Sequence, residues 1–144
     1  MKITFLGGGN MANALIGGLL NNGFTANEIA VIEIGAENRA TLERTFGIRC
    51  FAEPDAAALY CDALLLAVKP QQMREACAPL QKLLQHQLVI SVAAGLRLSD
   101  LSRWLGGHDK LVRAMPNTPA LIGAGVTGLY ALPSVSEAER LGAE

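Results

Sequence analysis

Three consecutive glycines, Gly7, Gly8 and Gly9, followed by Asn10, Met11 and Ala12, stand directly after the apolar run Ile3-Thr4-Phe5-Leu6. Holding a pyrophosphate at a strand-to-helix turn needs a tight turn, a backbone free of Cβ where the ligand approaches, and a small residue where helix meets strand. Gly7, Gly9 and Ala12 stand at those three places. The amides that open the following helix have no intrahelical partners and carry positive partial charge, which suits an anion. Asn10 is placed to cap that helix. The string alone is a weak signal, because glycine also marks ordinary turns. Its setting between an apolar strand and a helix, with an acidic residue closing the next strand, points to a turn for NADP or NAD.

That acidic residue is Glu33, where a carboxylate can accept hydrogen bonds from the ribose hydroxyls next to adenine. This favours NAD, since a 2′-phosphate would be repelled. Arg39 and the amides around Gly35 and Ala36 can instead reach a 2′-phosphate, so the choice between NAD and NADP stays open. Ligands of open α/β sheets bind outside the carboxyl ends of the strands. Three more segments end there: Ala67-Val68-Lys69-Pro70, Ala93-Ala94-Gly95 and Met115-Pro116-Asn117-Thr118-Pro119. Small residues in the second let a flat nicotinamide approach the backbone, and Lys69 and Asn117 can donate hydrogen bonds to ribose or substrate. Each also has a plain structural reading, as an exposed loop cation, a tight turn or a turn cap between prolines.

Short apolar runs alternate with stretches of helical period, the pattern of consecutive βαβ units. Strands are predicted over residues 3–6, 29–32, 47–50, 63–68, 88–92 and 110–115, with an edge strand over 126–131. Helices are predicted over 10–20, 36–46, 71–84 and 98–105, the last capped by Ser99 or the turn before it, and a further helix begins at 136–141. The run 63–68 is apolar throughout, as a central parallel strand covered on both faces requires. The fold class is therefore α/β, a doubly wound, mainly parallel Rossmann-type sheet with helices on both faces.

With 144 residues, 51% hydrophobic, the chain suffices for one such core and not for two. Its net charge of −1 and scattered basic residues speak against nucleic acid or an anionic membrane, and point to a small-molecule partner. No apolar run approaches the roughly 20 residues of a spanning helix, and no signal-peptide pattern opens the chain, so a cytoplasmic protein is expected. Cys50, Cys61 and Cys77 share no metal-ligand or CxxC spacing and read as reduced, packed thiols. His86 and His108 read as surface residues. No metal site, Ser-His-Asp set or paired carboxylate emerges, and no catalytic residue can be named.

Four stretches in order resemble pyrroline-5-carboxylate reductase: Phe5-Leu6-Gly7-Gly8-Gly9-Asn10-Met11-Ala12, Leu66-Ala67-Val68-Lys69-Pro70, Ser91-Val92-Ala93-Ala94-Gly95 and Arg113-Ala114-Met115-Pro116-Asn117-Thr118-Pro119-Ala120. The last is the most specific, and the resemblance runs to about Tyr130. It implies reduction of the cyclic imine 1-pyrroline-5-carboxylate to L-proline with hydride from NADPH or NADH. The matching residues would line the cofactor groove, with Asn117 and Thr118 toward substrate. It further implies a dinucleotide-binding domain over 1–130, and over 131–144 the start of a connection to a helical dimerisation domain beyond this chain. The full-length protein would then be a homodimer or larger homo-oligomer. Pro54 departs from the pattern at a loop position where some members carry a cofactor-contacting Asn, so no role passes to it. Two other readings share these residues: the cofactor domain of another imine or β-hydroxyacid reductase, and a non-catalytic nucleotide-sensing domain.

Overall fold

The computed structural model describes residues 2–92 and 95–113 in full, and the backbone of 114–115 and 128–131. Among the described residues seven strands form one sheet in the order β3-β2-β1-β4-β5-β6-β7. They are β1 (Ile3–Leu6), β2 (Ile29–Ile32), β3 (Arg49–Phe51), β4 (Ala63–Leu66), β5 (Leu88–Ser91), β6 (Leu111–Met115) and β7 (Gly128–Ala131). β1 to β6 run parallel, and β7 pairs antiparallel with β6 at the edge. Among the described residues four α-helices accompany them: α1 (Asn10–Asn21), α2 (Ala36–Phe46), α3 (Pro70–Cys77) and α4 (Leu98–Trp104).

Successive side chains of a strand point to opposite faces, and here both faces are covered. Leu6, Ile32, Leu64, Leu66, Val89 and Leu111 meet Met73 and Cys77 of α3 and Leu98 and Leu101 of α4. On the other face Phe5, Val31, Ile90 and Val112 lie under Ala12 and Ile16 of α1 and Leu42 of α2. Each large buried side chain contributes about 1.5–3 kcal/mol relative to exposure. These two apolar layers fix where every strand ends, and so where the loops beyond the strands stand.

The structure corrects the expected elements where a single residue overrides the pattern. The helix expected over 71–84 starts at Pro70 and stops at Cys77, then tightens into a 3₁₀ turn over Ala78–Lys82. Pro79 causes the break, because it has no N–H to give and its ring crowds the preceding turn. The third strand is shifted from 47–50 to Arg49–Phe51, since Gly47 adopts a left-handed conformation (φ 69°) to close α2. At α4 the N-cap is Arg97, in the turn before the helix, and not Ser99; no side chain caps the helix. A 3₁₀ turn over Ala26–Glu28, not expected from periodicity, is fastened by the Thr25 amide donating to Glu28 Oε1 at 3.0 Å. β4 and β5 end earlier than expected, at Leu66 and Ser91, and β6 begins at Leu111. Positions 126–127 of the expected edge strand and the helix expected over 136–141 lie outside the described residues.

Candidate functional site

The parallel ladder continues one rung beyond each strand. The Gly7 amide donates to Ile32 O at 2.8 Å, Ala67 to Leu6 O at 2.9 Å, Glu33 to Phe51 O at 2.8 Å and Val92 to Leu66 O at 3.3 Å. The loops after β1, β2, β4 and β5 are thereby held side by side at one edge. The chain leaves β1 toward β2 and β3, then returns to place β4 on the other flank of β1. The strand order reverses between β1 and β4, which is where open α/β sheets bind ligands.

Within the turn after β1 the three glycines answer to different demands. Gly7 has φ 99°, and a Cβ on it would stand 2.9 Å from Val68 Cγ1 and 3.1 Å from Ala67 O. Gly8 is closed by its neighbours, since a Cβ there would lie 2.7 Å from Leu42 Cδ1 and 3.2 Å from Glu33 Oε1. At Gly9 a Cβ would meet no described atom within 4 Å. Packing among the described residues thus accounts for the first two glycines and not for the third. Ala12 is fully buried against the sheet, as a small residue at the helix–strand contact should be. Met11 is half-buried.

Asn10, expected to cap α1, is instead its first residue; Gly9 takes the N-cap position and no side chain caps the helix. The reason lies in the sharp turn at Gly7, which starts the helix one residue sooner. Asn13 caps no amide but ties the turn's carbonyls, donating from Nδ2 to Gly9 O at 2.8 Å and Gly8 O at 3.1 Å. No acidic residue stands in the first turn of α1, so the positive end of this helix is uncompensated by its own side chains.

Glu33 stands where the sequence placed it, at the end of β2, and both its oxygens are engaged. Oε1 accepts from the Gly8 amide at 3.0 Å and Oε2 from the Gly35 amide at 2.8 Å. Arg39 folds under the same loop, donating from Nη1 to Glu33 O at 2.7 Å and Ile34 O at 2.8 Å. Asn38 completes the tie, donating from Nδ2 to Gly8 O at 2.8 Å. Asn13 and Asn38 carried no sequence signal for this role: the second lies thirty positions from the carbonyl it holds. Only the pairing of β1 with β2 brings the two together.

Lys69 and Pro70 are exposed beyond β4, with Pro70 at the first position of α3, where its missing N–H costs nothing. Ala67 and Val68 pack against Gly7. Gly95 turns with φ 78° beyond β5. Met115 ends β6. Ala93, Ala94, Pro116, Asn117 and Thr118 lie outside the described residues. An open groove of about 750 Å³, lined in part by Lys2, Tyr60, Asp62, Lys82 and His86, stands at the opposite edge of the sheet and contains none of these positions.

The thiols are packed rather than poised. Burial pushes Cys77 up to about 12, and burial with the nearby Glu43 and Glu33 charges, against Arg39, pushes Cys50 up to about 11. Cys61 is likewise raised by burial, and Cys50 is half-buried where the others are buried. His86 is exposed as expected, whereas His108 is half-buried with Nε2 at 2.8 Å from Gln87 O, so it joins two loops instead of facing water.

Strand order, two covered faces and a glycine turn at the switch point define a doubly wound Rossmann-type domain. The chain belongs to the family described as NADP oxidoreductase coenzyme F420-dependent, whose model matches residues 2–95. It is 42% identical over 140 residues to a pyrroline-5-carboxylate reductase of Vibrio alginolyticus, covering 96% of this chain and 52% of that protein. To the protein of the same name from Pseudomonas aeruginosa it is 43% identical over 139 residues, covering 96% and 51%. The structure of a pyrroline-5-carboxylate reductase from Coxiella burnetii matches with a TM-score of 0.91 at 38% identity, covering 99% of this chain and 54% of that one. The chain spans about half the length of the curated relatives it matches. The resemblance read from the four motifs agrees with these relatives. Among the described residues no helix is long and apolar enough to cross a membrane.

Proposed function

We propose that this chain is the nucleotide-holding half of a reductase that converts 1-pyrroline-5-carboxylate to L-proline with NADPH or NADH. The observation that carries the reading is the glycine turn at the switch point, where a Cβ on Gly9 would meet none of the described residues and the helix opens without a capping side chain. A pyrophosphate fits both features: it can approach a backbone without Cβ and accept from the amides that begin α1. The substrate assignment draws on the names of the three relatives described above, each a pyrroline-5-carboxylate reductase.

Gly7, Gly8, Gly9, Asn10, Met11 and Ala12 would hold the pyrophosphate, and Glu33 the ribose beside adenine. Ala67, Val68, Lys69, Pro70, Ala93, Ala94, Gly95, Met115, Pro116 and Asn117 would line the nicotinamide half, with Asn117 and Thr118 toward substrate. The bound nicotinamide supplies the hydride; the protein's part is to hold donor and acceptor face to face. Residues 1–130 would be the binding domain, and 131–144 the start of a connection to a helical dimerisation domain, in a cytoplasmic homo-oligomer. Calorimetric titration of the chain with NADH and NADPH tests the site, and dissociation constants in the micromolar range are expected. Lack of binding to either rejects it. Oxidation of NAD(P)H by the full-length protein, dependent on pyrroline-5-carboxylate, tests the reaction.

A further inference from the structure

We infer that the loop between β2 and α2 selects the dinucleotide with free ribose hydroxyls, NADH, and that Glu33 is the selecting residue; this rests on the dinucleotide reading above. Two groups in the sequence could have served a 2′-phosphate, the amides near Gly35 and the guanidinium of Arg39. The structure engages one donor of each. The Gly35 amide, at the N-cap of α2, already donates to Glu33 Oε2 at 2.8 Å, so a carboxylate stands at the donor a phosphate would need. Arg39 Nη1 is bound to two backbone carbonyls of the same loop, at 2.7 and 2.8 Å.

Charge acts in the same direction. Glu37, in the first turn of α2, adds a second carboxylate to the helix end that would otherwise attract an anion. Arg39 is the one described cation for which a hydrogen bond to this loop is found, and its Nη1 is directed at the backbone carbonyls of Glu33 and Ile34. A phosphate ester carries about −1.5 to −2 charge near neutral pH, so its entry beside Glu33 is opposed. Ribose hydroxyls meet no such opposition. A carboxylate has roughly four acceptor positions, and the Gly8 and Gly35 amides use two of them. Glu33 can therefore accept from a hydroxyl while it still fastens the β2 loop to the glycine turn.

The test is titration of the chain with NADH and NADPH, with ADP-ribose and 2′-phospho-ADP-ribose as competitors for bound NADH. NADH is expected to bind at least about tenfold more tightly, and ADP-ribose to compete where its 2′-phosphorylated form does not. Glu33→Ser, checked for folding by thermal melting, should weaken NADH and strengthen NADPH so that the ratio falls at least about tenfold. Arg39→Met should weaken both alike, because it loosens the loop without removing the carboxylate. Equal or tighter NADPH binding by the unaltered chain overturns the inference, as does a ratio untouched in a folded Glu33→Ser variant. Should that variant fail to fold, the competitor pair on the unaltered chain still decides. Binding of neither dinucleotide removes the parent reading, and the inference with it.

Discussion

The turns after β1 and β4 flank the same switch point, and both lead from a buried strand into a helix, yet they are built on opposite principles. After β1 the backbone itself is arranged: three glycines, one with φ 99°, fastened from outside by Glu33, Asn13 and Asn38. After β4 the side chains are presented: Lys69 extended and exposed, and Pro70 setting the start of α3 without any capping side chain. A turn whose amides and bare backbone meet a ligand must be rigid and free of Cβ. One that offers a flexible ammonium needs only a fixed starting point. The first turn should therefore be intolerant of substitution in stability at Gly7 and Gly8, the second in binding alone.

Gly7→Ala tests the contrast most severely. Its positive φ and its 2.9 Å approach to Val68 Cγ1 mean that alanine pays both conformational strain and overlap, together about 3 kcal/mol, read as a lowered urea midpoint. Gly8→Ala should cost less, about 2 kcal/mol, because the nearest atom, Leu42 Cδ1 at 2.7 Å, ends a side chain that can move. Gly9→Ala should separate stability from binding. Where no described atom is met within 4 Å, the urea midpoint should move by no more than about 0.5 kcal/mol. Dinucleotide affinity should nevertheless fall at least about tenfold, equal to 1.4 kcal/mol. A Gly9→Ala variant that binds normally would return this glycine to the class of ordinary turn residues.

Much of this was legible in the sequence because apolar periodicity is a local signal. Strands β1, β2 and β4 follow from runs buried nearly throughout, and their order as a doubly wound sheet follows from the alternation with helices. What escaped was set by single residues or by long-range pairing. Pro79 divided a helix whose apolar spacing continued past it, and Gly47, by closing α2, moved the start of an expected strand from 47 to Arg49. Glu33 was found by its place at the end of β2, but its grip on Gly8 and Gly35 was not, since nothing in the sequence reports a carboxylate's partners. Asn38 had no signal at all, because its contact with Gly8 exists only once β1 and β2 lie side by side.

The smallest effects lie in the outer fastenings, and they bear most directly on the contrast between the turns. Asn38→Ala removes one of two side-chain donors to Gly8 O and leaves the Asn13 bond at 3.1 Å, so the carbonyl keeps a partner. The expected loss is about 1 kcal/mol, the ordinary net value of such a hydrogen bond, accompanied by weaker dinucleotide binding because the glycine turn is less firmly held. Lys69→Ala removes an exposed side chain for which no hydrogen bond or ion pair is found among the described residues, so the urea midpoint should stay within about 0.5 kcal/mol. Its effect should appear only when a nucleotide is added, as a dissociation constant raised about threefold to tenfold by the loss of one charge-assisted donor. Equal losses of stability in the two variants would mean that the turn after β4 is fastened as the turn after β1 is. A loss confined to Asn38→Ala would mean that rigidity has been built on one side of the switch point only.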